Sequence, residues 1–258
     1  MDFKSCSEKI VKMIRPQSFP IGVKIIKKDQ DLSGEATRPS KYGIQISLCQ
    51  WTTVARRWGR YVGALAEDIN CTPCLAGLGM KKLKEPRDLA TYFLEMGYFD
   101  SLELAHAATQ KMNLIPPGEI RGMAFFPLDK ATQMDPDLVL IYGTPAQMSR
   151  LAAGCAYHSG ELIESTSTGF GLSCLSSTIP FISGKPAFIH PSRGERILGG
   201  TEECEMALSI PAKQLETLVD GLEQTHKKGS RYPIQNYVLY QPPSLTPMRN
   251  LGDKLSDI

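Results

Sequence analysis

The sequence has little net charge and no long apolar run, and both absences exclude classes of function. The 29 lysine and arginine residues nearly balance 27 aspartate and glutamate residues, which leaves a formal net charge of +2. Because no dense basic block carries interleaved aromatic residues, we expect no nucleic-acid binding. No apolar stretch approaches the roughly 20 residues of a membrane-spanning helix, and the N-terminus, MDFKSCSEKIVKMIRP, lacks the apolar core of a signal peptide. We therefore expect a cytoplasmic protein that does not enter a membrane.

Several motifs that carry well-known chemistry are also missing. The chain contains neither G-x-G-x-x-G nor G-x-x-x-x-G-K-[ST], so neither a dinucleotide fingerprint nor a P-loop supports nucleotide binding. No G-x-S-x-G turn is present, which argues against a serine nucleophile. The histidines form no H-x₃₋₅-H pair of the kind found in zinc sites; they are His106, His158, His190 and His226.

Cysteine is comparatively abundant, with seven residues: Cys6, Cys49, Cys71, Cys74, Cys155, Cys174 and Cys204. The odd number and the chain length of 258 residues do not favour a disulfide framework. In a reducing compartment such thiols are buried small side chains, metal ligands or reactive groups. We assign Cys6 and Cys155 to the inert class because they lie in amphipathic helical patterns, and Cys204 because it has no partner nearby.

Apolar periodicity predicts an α/β fold (mixed α+β), in which helices flank a mixed β-sheet. The runs PIGVKIIKK, EIRGMAFFPL and DLVLIYG indicate strands, and ELIESTS (161–167) resembles a further one. Helices are predicted at LCQWTTVARRW, at Ser101–Met112 with Asp100 as N-cap, and from Pro211 onwards. No repeat or low-complexity linker divides the chain, so we expect a single compact domain, 1–258. Its N-terminal part, 1–115, carries three cysteines of interest, and its C-terminal part, 116–258, has the more regular α/β pattern.

The motif C-T-P-C, residues 71–74, follows a strand pattern and has three possible interpretations. A structural zinc site usually has a second pair of ligands at short spacing, and none is present. A thioredoxin-like redox pair needs a different order of the first strand and helix. The third interpretation is an iron–sulfur site, which commonly needs four thiolates on loops whose amides offset the negative charge. The candidate metal ligands are Cys49, Cys71, Cys74 and Cys174.

A metal-free binding site is the main alternative. Thr144 and Gln147 lie in the pattern IYGTPAQ, where a helix begins directly after a strand, a position at which α/β folds bind anions and small ligands. The loop Ser165–Gly171 is rich in small polar residues that allow the close approach of a polar ligand. Its candidate ligand-binding residues are Ser167, Thr168, Gly169 and Gly171. Ordinary helix capping and a solvent-exposed turn are the structural interpretations of the same two segments.

Two further interpretations stay open. A thiol enzyme would use Cys71 or Cys174 as its nucleophile, although no histidine is close in sequence to activate either thiol. One of the adjacent residues Arg56 and Arg57 could face inward, and either this pair or the pair Arg193 and Arg196 could bind a carboxylate through two hydrogen bonds. Solvation at the surface is the favoured interpretation of both pairs.

Several segments, taken in order, give the chain a family resemblance. They are PIGVKII, CQWTTVARRWG, EDINCTPCLAGLGM, DLVLIYGTPAQMSRLAAGCAYHSGELIESTSTGFGLSC and EMALSIPAKQLETLVDGLEQTHKKGSRYPI. Together they resemble the family catalogued as domain of unknown function 169, found mainly in archaea and anaerobic bacteria. The resemblance implies no activity, because the family has none assigned. It implies that Cys49, Cys71 and Cys174 match cysteines of the family whereas Cys74 departs from its pattern, which leaves room for three thiolates plus another ligand.

These observations lead to one expected function and one alternative. We expect a cytoplasmic metal-centre protein, with an iron–sulfur cluster as its cofactor, in anaerobic redox or cofactor chemistry. The alternative is a metal-free protein that binds a small molecule or anion at Thr144 and the Ser165–Gly171 loop. The expected partners are a small-molecule ligand or a redox partner protein, and a homo-oligomer is compatible with the sequence.

Overall fold

The computed structural model describes residues 1–34, 36–85, 87–112, 114–131, 134–167, 169, 174 and 177–234. Its centre is a six-stranded sheet with the strand order β2-β3-β1-β4-β6-β5. The strands are β1 (Ile21–Lys27), β2 (Val62–Leu65), β3 (Ile120–Pro127), β4 (Leu138–Gly143), β5 (Ala187–Ile189) and β6 (Met206–Pro211). All five pairings between neighbouring strands are antiparallel.

Both faces of this sheet are covered, as the side chains of β4 show. Leu138, Leu140 and Tyr142 are buried on one face, and Val139 and Ile141 are buried on the other. Successive side chains of a strand point to opposite faces, so a wholly apolar strand needs both faces shielded from water. Helices therefore lie on both sides of the sheet, and we call the two sides the Tyr142 face and the Ile141 face.

The described helices are α1 (Phe3–Ile14), α2 (Leu48–Trp58), α3 (Thr72–Gly77), α4 (Asp88–Glu95), α5 (Leu102–Gln110), α6 (Pro145–Ala156), α7 (Ile179–Ser183), α8 (Arg193–Gly199) and α9 (Leu215–Lys227). Side chains from α2, α3 and α4 pack on the Tyr142 face, and side chains from α1, α6 and α9 pack on the Ile141 face. The helices α6 and α9 approach closely, since a Cβ on Gly221 would lie 2.1 Å from the Gly154 carbonyl oxygen. Over the described residues, no helix has both the length and the apolar character needed to cross a membrane.

The predicted α/β fold class is confirmed, with differences of detail. The described strands form an antiparallel sheet, whereas a mixed sheet was predicted. An apolar run indicates that both faces of a strand are covered, but it does not indicate the direction of the neighbouring strands. Residues 161–167, predicted as a strand, form none. The edge strand is instead β5, and the Phe188 amide of β5 donates to the Ser165 side chain at 2.7 Å.

Two helix starts also differ from the predictions. Ser101, and not Asp100, caps α5, where its hydroxyl accepts a backbone N–H at 3.3 Å. Pro211 does not open α9 but ends β6, where it pairs with Leu138 of β4, and the helix begins at Leu215. Pairing with β4 thus decides where β6 ends, and this contact between distant segments has no local sequence signal.

Candidate metal centre

A cavity of about 240 Å³ opens on the Tyr142 face, between α2, α3, α4 and α8. Four cysteines line it: Cys49, Cys71, Cys74 and Cys174. Most of the remaining wall is apolar and includes Pro73, Tyr92, Phe93, Met96, Ile197 and Leu198. The fold therefore gathers the four cysteines that the sequence singled out around one space, which we call the cysteine cavity.

Cys49 is placed by the N-terminus of α2. Ser47 caps this helix: its hydroxyl accepts from the Gln50 amide at 3.3 Å, and the Gln50 side chain accepts from the Ser47 amide at 2.8 Å. Helix α8 lies directly against the same turn because Gly199 has no side chain; a Cβ there would be 3.0 Å from the Cys49 carbonyl oxygen. The Thr53 hydroxyl donates to the Gly199 carbonyl and fixes this contact.

Cys71 and Cys74 belong to the short helix α3, with Cys71 as its N-cap residue. Cys74 is buried and Cys71 is partly exposed. The chain before them is fixed by Asp68, a fully buried carboxylate that accepts from the Leu65 amide at 2.8 Å and from Arg38 Nε at 2.9 Å. Burial alone would raise the pKa of this carboxyl, but its hydrogen bonds hold the pKa below the usual value of 3.8.

Cys174 is anchored to the sheet through two serines. The Ser177 hydroxyl donates to the Cys174 carbonyl oxygen at 2.6 Å, and the Ser209 hydroxyl of β6 donates to the Ser177 carbonyl oxygen at 3.0 Å. Ser209 is fully buried in its strand. A buried hydroxyl needs a hydrogen-bond partner, and here its partner is the segment that carries Cys174.

The four thiols are close enough to affect one another's ionisation. Burial raises the pKa of Cys49 well above its usual value, and Cys174 and Glu195 raise it further. Burial and the nearby Cys174 raise the pKa of Cys71 to about 11. For Cys74, a hydrogen bond with Cys174 lowers the pKa, but burial and the other two thiols outweigh it and the pKa is raised. The thiols of Cys49, Cys71 and Cys74 are therefore protonated at neutral pH unless a metal displaces the protons.

These surroundings do not favour a thiol nucleophile. A thiol with a pKa of about 11 is ionised in roughly one molecule in 10⁴ at pH 7. Among the described residues that line the cavity there is no histidine, and Arg193 lies at its exposed edge. The hypothesis of a nucleophilic Cys71 or Cys174 stays a prediction, and no histidine among the described lining residues supports it.

The arrangement of donor atoms also bears on the kind of metal site. Among the described residues, no group of three or more His, Cys, Asp and Glu side chains is placed so that it could hold a metal ion. The four cysteines nevertheless line one cavity, and a hydrogen bond joins the thiols of Cys74 and Cys174. A single zinc ion needs all its ligands within about 2.0–2.3 Å of one point, whereas a cluster binds its thiolates through different irons and accepts donors that lie farther apart.

The opening of the cysteine cavity is apolar and exposed. Tyr92 of α4, Met96 directly after α4, and Ile197 and Leu198 of α8 are each 40–62% exposed, and we call these four residues the apolar rim. A second cavity, of about 280 Å³, shares two wall residues with the first, and its charged lining consists of three lysines and one carboxylate: Lys81, Lys82, Lys84 and Asp88. Grouped exposed apolar side chains of this kind mark places where ligands or partner proteins bind.

A buried polar network lies behind the cavity, and the sequence indicated only part of it. Arg56 is fully buried and binds Glu205 through two hydrogen bonds, Nη1–Oε1 at 2.7 Å and Nη2–Oε2 at 3.0 Å. Its guanidinium carbon lies 4.2 Å from the centre of the Tyr142 ring, an attractive cation–π arrangement. The Tyr142 hydroxyl in turn donates to Glu195 at 2.7 Å. Of the two adjacent arginines, Arg56 is the one that faces inward. No local sequence pattern indicated that Glu195 and Glu205 are buried.

Residues 9–221 match the model of a family described as uncharacterised ArCR, domain of unknown function 169. The chain belongs to this family. The resemblance carried by the ordered segments is thereby confirmed over most of the sequence. No curated protein and no solved structure matches the chain. Membership of the domain of unknown function 169 family brings no activity with it, so function must be argued from the geometry of the site.

In this member of the domain of unknown function 169 family, Thr144 and Gln147, which the metal-free alternative assigns to ligand binding, form hydrogen bonds within the fold. Thr144 caps α6, and its hydroxyl accepts from the Gln147 amide. Gln147 is buried: its Oε1 accepts from the Thr144 amide at 2.7 Å, and its Nε2 donates to the carbonyl oxygens of Ile14 and Arg15 at 3.0 and 2.9 Å. These groups attach the start of α6 to the end of α1, and side chains of both helices pack on the Ile141 face.

The loop of the same alternative is only partly described. Ser167 and Gly169 are exposed, and apart from the chain neighbours of Gly169 no described atom lies within 4 Å of a Cβ built on it. Thr168 and Gly171 lie outside the described residues. Anion binding by this loop and Thr144 therefore stays a prediction.

Proposed function

We propose that this member of the domain of unknown function 169 family holds an iron–sulfur centre on Cys49, Cys71, Cys74 and Cys174. The observation that carries the proposal is the convergence of these cysteines, from three separate segments, on one cavity. The remaining cysteines lie elsewhere: Cys6 and Cys155 on the Ile141 face, and Cys204 on the surface. The convergence is therefore selective.

The donor set suits this cofactor. Thiolates are soft ligands that select iron–sulfur clusters, zinc or copper(I), and the common clusters use four of them. Cys49 lies in the first turn of α2, where the free amides and the helix dipole offset negative charge. The apolar wall limits the access of water to the ligands.

Such a centre supplies electron transfer or Lewis-acid chemistry when bound. The residues around it decide which molecules approach: the apolar rim accepts an apolar surface, and the adjacent lysines favour negative charge beside it. We therefore propose a small-molecule ligand or a redox partner protein that presents an apolar group next to an anionic one. We further propose that the protein acts in the cytoplasm under anaerobic conditions, where the thiols stay reduced.

Anaerobic purification of the full chain, followed by reconstitution with ferrous iron and sulfide, tests the proposal. We expect iron and acid-labile sulfide to bind together and to produce visible charge-transfer absorption. Cys71→Ser and Cys174→Ser should each remove most of that absorption. Cys155→Ser removes a thiol that packs on the Ile141 face and is the matched control, which should bind as the wild type does. A colourless wild type without iron, or an equal loss in the control, contradicts the proposal.

Cys74→Ser then separates a four-thiolate centre from a centre with three thiolates and another ligand. If the Cys74 sulfur is a ligand, the variant should lose iron as Cys71→Ser does. If the variant keeps its iron and absorption, a group other than Cys74 completes the site, and the C-T-P-C spacing has no role in metal binding.

The metal-free alternative is tested by thermal-shift screening with phosphates and carboxylates. The alternative would be favoured if such an anion raised the melting temperature of the wild type but not that of Ser167→Ala, a variant at an exposed residue of the loop. We place it second because the polar groups of Thr144 and Gln147 already hydrogen-bond within the fold.

A further inference from the structure

Among the four cysteines of the cysteine cavity, Cys74 and Cys174 are in direct contact. A hydrogen bond joins their thiols, whereas Cys49 and Cys71 influence the ionisation of Cys74 through charge. Cys174 also influences the ionisation of Cys49 and Cys71, so its thiol is close to all three of the others. Two thiols in hydrogen-bond contact need only a small further approach to reach the S–S bond length of about 2.0 Å.

This contact gives Cys74 a partner that the C-T-P-C pattern does not indicate. The pattern pairs Cys74 with Cys71, which lies three residues earlier at the start of the same helix, α3. Cys174 is 100 positions later in the chain, and the Ser177 hydroxyl donates to its carbonyl oxygen at 2.6 Å. A bond between Cys74 and Cys174 would therefore join α3 to the segment that Ser209 anchors on β6.

The two residues differ in their access to solvent. Cys174 is partly exposed and lines the open cavity, whereas Cys74 is only 2% exposed. A small disulfide in solution therefore reaches Cys174 before Cys74. In thiol–disulfide exchange a thiolate attacks one sulfur of the disulfide, and a neighbouring thiolate then displaces the small thiol from the mixed disulfide. One accessible thiol beside one shielded thiol suits these two steps.

We propose that Cys74 and Cys174 form a reversible disulfide when the chain holds no metal, and that this bond closes the cysteine site to iron. The Cys174 thiolate attacks a low-molecular-weight disulfide, which forms a mixed disulfide and releases one small thiolate. The Cys74 thiolate then attacks the Cys174 sulfur, which forms the Cys74–Cys174 bond and releases the second small thiolate. In total the two cysteines lose two electrons and two protons, and the small disulfide becomes two thiols.

The disulfide would withdraw two of the four thiolates that we assign to the iron–sulfur centre. Metal ligation needs the free thiolate, so the oxidised chain does not load the centre until the bond is reduced. Disulfides in a reducing cytoplasm are usually transient and serve catalysis or redox sensing. The control of iron binding thus rests on the proposed function, whereas formation of the disulfide itself needs no metal.

The test exposes the metal-free full chain to glutathione disulfide under anaerobic conditions and maps the products by peptide mass spectrometry. Trypsin leaves Cys71 and Cys74 on one peptide and Cys155 and Cys174 on another. The variants Cys71→Ser and Cys155→Ser are therefore matched controls, because each removes the other cysteine of its peptide. Cys74→Ser and Cys174→Ser remove the proposed pair, and the corresponding alanine variants replace them if serine prevents folding.

We expect a cross-link between these two peptides in the wild type and in both controls, and none in Cys74→Ser or Cys174→Ser. The oxidised wild type should melt about 5–10 °C higher than the reduced wild type, because the bond closes a loop of about 100 residues. During reconstitution without added thiol, its initial rate of iron uptake should be at least about tenfold lower. Prior reduction with dithiothreitol should restore that rate.

Three results would overturn the inference while the iron–sulfur centre stands. The first is the absence of any cross-link between the two peptides. The second is a bond between Cys71 and Cys74, or a cross-link that Cys71→Ser loses and Cys74→Ser keeps. The third is an equal rate of iron uptake in the oxidised and reduced chains. Failure of the reduced wild type to bind iron is a different result, which refutes the centre and its redox control but leaves the mapped disulfide in place.

Discussion

Replacing Arg56 with methionine should destabilise the protein strongly, because the change leaves a carboxylate buried without its cation. In the wild type the Arg56 side chain is fully buried, the Glu205 side chain is 5% exposed, and hydrogen bonds of 2.7 and 3.0 Å join them. Methionine fills much of the same space with apolar atoms, so Arg56→Met removes the charge and the donors without creating a large cavity.

The size of the loss follows from the geometry of the pair. Removing one partner of a buried ion pair costs about 3–5 kcal/mol. Arg57 Nη2 lies 3.4 Å from Glu205 Oε2 and offsets part of that cost, so we expect the lower end, about 3 kcal/mol. For a chain of this size each kcal/mol lowers the melting temperature by about 2–4 °C, which gives a decrease of about 6–12 °C.

The same substitution has a pH signature. Burial alone would raise the pKa of Glu205, but the hydrogen bonds and charge of Arg56 hold it below the usual value of 4.5. A lowered carboxyl pKa stabilises the folded state above the unfolded pKa, and this contribution is lost as the pH falls through the folded value. The stability difference between wild type and Arg56→Met should therefore be full near neutral pH and shrink below about pH 4.5.

Urea unfolding followed by circular dichroism measures both effects, with Arg57→Met as the matched control. Arg57 is the next residue of α2, but 34% of its side chain is exposed, so its ion pairs should contribute less than about 1 kcal/mol. A loss below about 1 kcal/mol in Arg56→Met, or equal losses in the two variants, would refute the role assigned to the Arg56–Glu205 pair.

Three further predictions concern the segments that hold the cysteines. Asp68→Asn should lower the free energy of unfolding, measured with urea at pH 7, by about 2–3 kcal/mol. Because hydrogen bonds hold the pKa of Asp68 below 3.8, this loss of stability should shrink below about pH 4. A loss that does not depend on pH would contradict this reasoning. Ser209→Ala removes the hydrogen bond to the Ser177 carbonyl oxygen, which anchors the segment that carries Cys174. The free energy of unfolding should fall by about 1 kcal/mol, and less iron should bind per chain. Normal iron binding in this variant would exclude the anchoring role of Ser209. In the metal-free protein at pH 7, a disulfide reagent should modify Cys204 well before Cys71, because Cys204 is exposed and the pKa of Cys71 is raised to about 11. Peptide mass mapping measures the order of modification. Faster modification of Cys71 would instead support a thiol nucleophile.

The fold was predictable where local patterns decide it. The run 138–143 is buried throughout, as its apolar residues indicate, and α6 begins after Thr144 with Pro145 in its first turn. The direction of the strands was not predictable from such patterns. It depends on which distant strands pair, as when Ile21 of β1 lies between Pro127 of β3 and Leu140 of β4.

The candidate site was predictable only in part. Sorting the cysteines by their local context separated four from three, and the structure gathers those four around one cavity. Glu195 and Glu205 were missed because SRGER and TEECEM are rich in polar residues and resemble exposed segments, whereas contacts with distant α2 and β4 bury them. Arg56 carried the only available signal, since an inward-facing arginine needs a carboxylate partner.

Iron and acid-labile sulfide analysis of the anaerobically reconstituted wild type, with its visible absorption spectrum, is the most direct test of the metal centre. We expect iron and sulfide in comparable amounts, with broad charge-transfer absorption that Cys71→Ser loses and Cys155→Ser retains. A colourless wild type that takes up neither iron nor sulfide would contradict the central claim that the four cysteines of this cavity hold an iron–sulfur centre.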